Sequence, residues 1–210
     1  MGEKEIRIPK QKRSIEKKQR IKDAALKLMS EKGYHSTSSN EIAKEAGVSI
    51  GTFYSYYKDK KDLYKDLVAD IYSTILSPMN MDINSDTWNT FTANYHSLEE
   101  IVYLYISTIF KGHEYQSAFQ REIASLSEQS DEFREIEMSH KADISLMLSS
   151  ILSAYKDELR IEDTKTASYL ILTTVEAVIH DTTFHNKGDN KQAVIKELTI
   201  MIVNYLFKPE

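Results

Sequence analysis

The stretch Ser36–Lys60, STSSNEIAKEAGVSIGTFYSYYKDK, decides the fold. It reads as two short helices joined by a glycine turn. Ala43 and Gly47 sit four apart. Ala43, with only a methyl group, can pack tightly against the following helix, and Gly47 can take the left-handed turn that a residue with a Cβ resists. Phe53 and Tyr57 fall one turn apart on one face of the second helix. At about 100° per residue, Gly51, Thr52, Tyr54 and Ser55 lie on the side away from them. That side offers bare backbone, two short hydroxyls and a phenol. Such a surface suits phosphates and base edges far better than it suits a core.

Outward from this stretch the chain reads as all-α. Only three prolines and six glycines occur, and long stretches carry the 3.6-residue apolar period. Ile21, Ala24, Ala25, Leu28 and Met29 form a stripe on a first helix, with Gly33 as its C-terminal cap. Ser39, with Glu41 in the first turn, reads as the start of the second helix, its hydroxyl capping backbone N–H groups. The third helix is expected from near Ser49 to near Lys58. Asp59 caps a fourth, whose Leu63, Leu67, Val68 and Ile71 face inward and which Pro78 bounds. Residues 80–94 have weak periodicity and read as a loop with a short helix. Beyond them, long helices are expected at about 98–112, 115–127, 130–156, 163–185 and 190–207, giving about nine in all. The expected organisation is a helix-turn-helix domain over 1–60 and a helical domain over 61–210.

Charge is divided unevenly along the chain. Residues 1–60 carry 14 Lys and Arg against 8 Asp and Glu, a net of +6, whereas the whole chain is −5, which leaves −11 to residues 61–210. A basic head on an acidic body points to a polyanionic partner at the N-terminal end. The alternative is a solvated tail, since Lys4, Arg7, Lys10, Lys12, Arg13, Lys17 and Lys18 precede or open the first helix. Cysteine is absent, which excludes disulfides and thiolate metal sites and is compatible with a reducing compartment. No apolar run approaches the roughly 18 residues that span a bilayer, and the charged N-terminus has no apolar signal-peptide core. A soluble cytoplasmic protein without a membrane partner is expected.

Two kinds of DNA contact can be assigned. Phosphates would be held by the hydroxyl and N–H of Ser39, the hydroxyls of Tyr54 and Tyr56, and the ammonium of Lys60. Bases would be read by Asn40, Ser49, Ile50, Gly51, Thr52 and Ser55 in the major groove. Phe53 and Tyr57 are assigned to the core, and by angle Tyr56 flanks that face. No Arg or Lys lies between Glu45 and Tyr57, so guanine recognition by a bidentate arginine is not expected here. Specificity would lean on thymine methyl contacts by Ile50 and Thr52 and on DNA shape.

The segment AALKLMSEKGYHSTSSNEIAKEAGVSIGTFYSYYKDKKDLY closely resembles the DNA-binding domain of TetR-type transcriptional regulators. The matching positions are Ala24-Ala25, Gly33-Tyr34, Ser39, Ile42-Ala43, Ala46-Gly47-Val48, Gly51-Thr52-Phe53-Tyr54, Tyr56-Tyr57, Lys60 and Leu63. They cover about the first third of the chain. The resemblance implies much the same DNA-contact set, a double-stranded DNA operator, a homodimer and a small-molecule inducer. A dimer also follows physically, because one such module reads few base pairs and two held about 34 Å apart read a palindrome.

The body supplies candidates for both further roles. Ile171, Leu172, Val175, Val178 and Ile179, with Val194, Ile195, Leu198, Ile202 and Tyr205, recur at helical spacing and can build a four-helix dimer seam, with intramolecular core as the plain alternative. Trp88, Phe91, Tyr95, Tyr103, Phe110, Tyr115, Phe119, Phe133, Met138 and Met147 can line a cavity for an apolar molecule, or simply fill a core. Of these, Tyr95, Tyr103, Phe110, Phe119, Phe133 and Met147, with His113, are the named ligand candidates. His113, His140 and His180 show no HxxxH or HxxE spacing, so no metal or other cofactor is expected. The reading is a ligand-released repressor; the alternatives are an activator or a ligand-independent DNA-binding protein of the same fold. An enzyme is not expected, since no nucleophile elbow, phosphate-binding glycine loop or paired-carboxylate motif is visible.

Overall fold

The structure, a computed structural model, describes residues 12–76, 98–114, 117–185 and 190–208. The loop and short helix expected over 80–94, and Tyr95 among the ligand candidates, lie outside the described residues, as do Pro78, Trp88, Phe91 and Tyr115. Nine α-helices occur among the described residues: α1 (Lys12–Lys32), α2 (Ser39–Glu45), α3 (Ile50–Tyr56), α4 (Lys60–Leu76), α5 (Leu98–Glu114), α6 (Ser117–Gln129), α7 (Asp131–Ala154), α8 (Thr164–Phe184) and α9 (Lys191–Leu206). The five later ones match the expected spans to within two residues at each end.

The helix ends follow from local chemistry. Gly33 ends α1 at φ +84°, its N–H donating to the Met29 carbonyl at 3.0 Å. The cap of α2 is Ser38 rather than the expected Ser39. The reason is spacing: a capping box needs Glu three residues on, and Glu41 stands in that relation to Ser38. Ser38 Oγ accepts from the Glu41 N–H, and the Glu41 carboxylate accepts from the Ser38 N–H at 2.9 Å. Gly47 turns the chain at φ +63°. Ser49 then caps α3, accepting from the Thr52 N–H at 3.1 Å. Asp59 caps α4 as expected, accepting from the Asp62 N–H at 2.8 Å.

The chain divides into two compact units, Met1–Ile71 with Ala118–Glu137, and Tyr72–Ser117 with Met138–Glu210. α4 and α7 each contribute residues to both. This grouping differs from the expected 1–60 and 61–210 split in running the first unit on to Ile71 and in recruiting the 118–137 segment to it.

In the first unit, Ile21, Ala25, Met29, Ile42, Phe53, Leu63 and Val68 are fully enclosed. Beside them four rings meet edge to face: Tyr34 lies 4.9 Å from Phe133 and 5.4 Å from Tyr64, and Tyr64 lies 5.1 Å from Phe133 and 5.9 Å from Phe119. Phe119 and Phe133 therefore belong to the core of the DNA-binding unit, a correction to their assignment as ligand residues of the body. Periodicity marked both as inward-facing. It carried no information about which interior they enter.

The second unit is built by α5, α8, α9 and the later part of α7. Its core holds Ile106, Ile109, Phe110, Ile144, Leu152, Val175, Ile179, Ile195 and Ile202. Asp163 caps α8 by accepting from the Lys165 and Thr166 N–H groups, both at 3.0 Å. The C-terminal end is tied to the α7–α8 connection: the Arg160 N–H donates to the Leu206 carbonyl at 2.9 Å, and Leu159 and Phe207 form an isolated antiparallel bridge.

Candidate nucleic-acid interface

The outward face of α3 matches the surface read from the sequence. Phe53 is fully buried and Tyr57 nearly so, while Ile50 is 37% and Tyr54 44% exposed. Ser49 and Gly51 are exposed, Thr52 and Ser55 half-buried, and on α2 Asn40 is exposed and Ser39 half-buried. Three hydroxyls are already used locally. Ser49 Oγ lies 2.9 Å from Thr52 Oγ1, and Ser55 Oγ donates to the Thr52 carbonyl at 2.7 Å. These bonds orient the hydroxyls and leave acceptor capacity on each oxygen. At Gly51 a Cβ would meet Ser49 Oγ at 3.8 Å as its nearest neighbour, an ordinary contact. The fold leaves room for a side chain at position 51, and a glycine there keeps the helix backbone open to close approach from outside.

Two adjacent tyrosines bolt α3 down. Tyr57 donates its hydroxyl to Asp66 Oδ2 of α4 at 2.7 Å. Asp66 is in turn paired with Lys18 at 2.8 Å and Lys22 at 3.4 Å, both on α1, and Lys22 also pairs with Asp70. Burial disfavours the Asp66 charge, but the Lys18 and Tyr57 hydrogen bonds and the Lys22 ammonium outweigh it and hold this carboxyl below its usual range. Burial and the same carboxylate push the Tyr57 phenol well above its ordinary value, so it stays the donor.

Tyr56 is the second bolt, and it corrects the expectation of a phosphate contact. Its side chain is 4% exposed and its oxygen lies 2.7 Å from Ser14 Oγ of α1. At 300° from Phe53 on the helical wheel it falls inside the arc that three packed helices enclose.

Lys60 also departs from its expected role. Its ammonium donates to the Tyr34 and Thr37 carbonyls, both at 2.6 Å, and sits 4.0 Å from the centre of the Tyr34 ring. Burial lowers its pKa from the ordinary ammonium value. It fastens the α1–α2 turn instead of reaching for phosphate. The same turn is gripped by Glu122 of α6, whose Oε1 accepts from the Tyr34 N–H at 2.6 Å. Burial, with Asp59 and Glu132 nearby, pushes the Tyr34 phenol up to about 12.

The body candidates separate into different environments. Tyr103 is 38% exposed and donates to Gln192 Oε1 at 2.8 Å; Phe110 is buried with the Lys191 ammonium 5.6 Å from its ring centre; Met147 is half-buried. His113 lies largely enclosed on α5, Nδ1 3.0 Å from the Ile109 carbonyl. Of the dimer candidates, Ile171, Val175, Ile179, Ile195, Leu198 and Ile202 are buried within the chain itself, Leu172, Val178 and Val194 are half-buried, and Tyr205 is exposed. This corrects the seam: the i, i+4, i+8 stripes are intramolecular core. The large apolar side chains left exposed on α8 and α9 are Tyr169, Leu170, Met201 and Tyr205. Sequence reasoning also passed over Tyr105, Lys141 and Glu176. The i, i+4 spacing of Glu176 and His180 was the available signal.

Comparison with known proteins agrees with this geometry. Residues 21–67 match the family described as bacterial regulatory proteins, tetR family, and residues 97–206, more than half of the chain, match the tetracyclin repressor-like C-terminal domain. The chain belongs to the TetR family of bacterial regulatory proteins. It is similar to the fatty acid metabolism regulator protein of Bacillus subtilis, 40% identical over 74 residues, which span 35% of this chain and 37% of that protein. An HTH-type transcriptional regulator of Staphylococcus aureus is 50% identical over 50 residues, spanning 24% of this chain and 27% of the relative. The chain thus matches well under half the length of these relatives. Among solved structures, Salmonella enterica GusR has a TM-score of 0.72 at 20% identity over 90% of this chain and 95% of that one. The FadR regulator of Bacillus subtilis in complex with stearoyl-CoA has a TM-score of 0.67 at 22% identity over 89% and 98%. At such identities the likeness is one of fold.

Proposed function

We propose that this chain is a cytoplasmic transcriptional repressor that holds a palindromic DNA operator as a homodimer and releases it when an apolar small molecule occupies the helical body. The observation that carries the reading is the asymmetry of α3. One face is bolted to α1 and α4 through Tyr56 and Tyr57. The other presents Ser49, Ile50, Gly51, Thr52, Tyr54 and Ser55 to an outside partner, with Ser39 and Asn40 of α2 joining them. Tyr54 and Ser39 hold phosphates; Ile50 and Thr52 offer methyl groups to thymine.

The exposed apolar side chains Tyr169, Leu170, Met201 and Tyr205 support α8 and α9 as the faces that pair with a second copy, flanked by Leu172 and Val178. An apolar inducer is supported by the stearoyl-CoA bound to the FadR neighbour and by the fatty-acid role in the name of the Bacillus relative. Release works by differential affinity: the ligand prefers a state in which the two recognition helices no longer match the operator repeat. A coupling of about 1–3 kcal/mol lowers occupancy about 5–150-fold.

Selection of binding sites from random DNA, followed by affinity measurement, tests the reading. Tyr54→Phe should weaken all sequences by a similar factor, and Thr52→Ala should relax preference at one position of each half-site. Recovery of no palindromic site by the wild-type protein would overturn it.

A further inference from the structure

The helical body holds a polar cluster that DNA binding does not use. Tyr105 and His113 stand two turns apart on α5, Glu176 and His180 one turn apart on α8, and Lys141 on α7. Lys141 Nζ pairs with Glu176 at 3.0 Å. The Tyr105 hydroxyl is buried and has no hydrogen-bond partner among the described residues, although Glu176 is close enough to disfavour its ionisation after burial itself. A buried donor left in that state is costly unless something outside the chain meets it.

His113 sharpens the point. Its Nδ1 faces the Ile109 carbonyl, which only accepts, so Nδ1 carries the hydrogen and Nε2 is bare while the ring is neutral. Burial first, then the nearby His180 and Lys141, keep the ring neutral, against the pull of the Ile109 carbonyl. The Lys141 and Glu176 charges offset each other, so a positive charge can be added beside the Tyr105 hydroxyl by one proton taken up at His113. A metal ion is not the missing element: among the described residues no three His, Asp or Glu side chains come together to hold one.

Resting on the ligand-released reading above, we propose that Tyr105, His113, Lys141 and His180 receive the carboxylate of an apolar acid. In this arrangement the Tyr105 hydroxyl donates to the carboxylate, the Lys141 ammonium supplies positive potential, and His113, with His180 nearby, takes a proton from solvent as the anion enters. Its Nε2–H then becomes a further donor. Binding should therefore be coupled to proton uptake and weaken as pH rises through the ordinary imidazole range.

Calorimetry of the full-length protein with octanoate and with 1-octanol, each in two buffers of different ionisation enthalpy, tests this. Octanoate should bind about tenfold more tightly than octanol, and only its heat should depend on the buffer, reporting uptake of about one proton. Tyr105→Phe should cut octanoate affinity several-fold while leaving octanol unchanged. Because it removes only an unpartnered oxygen, its melting temperature without ligand should be no lower than the wild type's. His113→Asn should abolish the buffer dependence. Octanol binding as tightly as octanoate, neither binding at millimolar concentration, or octanoate binding without proton uptake each overturn the anion site. Release of operator DNA by octanol but not octanoate would overturn the site and leave ligand-released repression standing. Octanoate binding with proton uptake but unchanged operator affinity would do the reverse.

Discussion

The DNA-binding unit and the helical body treat their enclosed polar groups differently. In the first, Ser14 meets Tyr56, Tyr57 meets Asp66, Asp66 meets Lys18 and Lys22, Glu122 meets the Tyr34 N–H, and Lys60 takes two carbonyls. Ser127 Oγ is the exception there. In the second, the Tyr105 and Ser107 hydroxyls are buried without partners among the described residues. A surface that must meet one duplex geometry is held rigidly from behind, which takes a closed network. On the proposed anion site, the Tyr105 hydroxyl stays unsatisfied until a ligand arrives.

Substitutions at four positions break or sharpen that contrast. Asp66→Ala has the largest expected effect. It orphans the Tyr57 hydroxyl, removes the Lys18 ion pair and leaves Lys22 with Asp70 alone, and should cost about 1.5–3 kcal/mol of stability, read as a lower midpoint in urea, with loss of DNA binding. The same carboxyl gives an acid dependence. Its folded pKa lies below its unfolded one, so its contribution is complete above the unfolded value of 3.8 and is lost as pH falls through the lower folded value. Asp66→Asn should flatten that limb in an acid titration.

Gly47→Ala comes next. At φ +63° a Cβ should cost about 1–2 kcal/mol by the same denaturation measurement. A variant as stable as the wild type would mean the turn does not need its left-handed residue.

Gly51→Ala should part stability from function. With only an ordinary contact to Ser49 Oγ at the Cβ position and helical backbone, it should gain about 0.4–1 kcal/mol in stability, while DNA affinity measured by fluorescence anisotropy falls. Unchanged affinity would remove position 51 from the interface. Smallest of all, Tyr105→Phe in the body should leave thermal stability within about 0.5 kcal/mol of the wild type, in contrast to Asp66→Ala. A large loss would show that the hydroxyl has a partner after all.

Much of the architecture was legible in the residues. The glycine at 33 and the one at 47 both carry positive φ, Phe53 and Tyr57 are buried, and the later helices start and stop near their apolar limits. Each of these depends on interactions a few residues apart. One departure is equally local: Ser38 and Ser39 differ only in whether Glu41 is three residues on. The others have a different cause. Tyr56, Lys60, Phe119 and Phe133 were placed by the face or family position they occupy, and their partners are 42, 23 to 26, 55 and 69 to 99 residues away in the chain.

From the chain alone came the helices, the glycine turns, the outward hydroxyl face of α3 and the division of charge between a basic head and an acidic body. All of these are set by short-range geometry and by simple addition. Tertiary packing alone decided which interior each apolar stripe fills, that Tyr56 and Lys60 serve the scaffold, and that Tyr105, His113, Lys141, Glu176 and His180 gather in one place. A helical period tells a side chain to face inward; which neighbour it finds there depends on how distant helices come together.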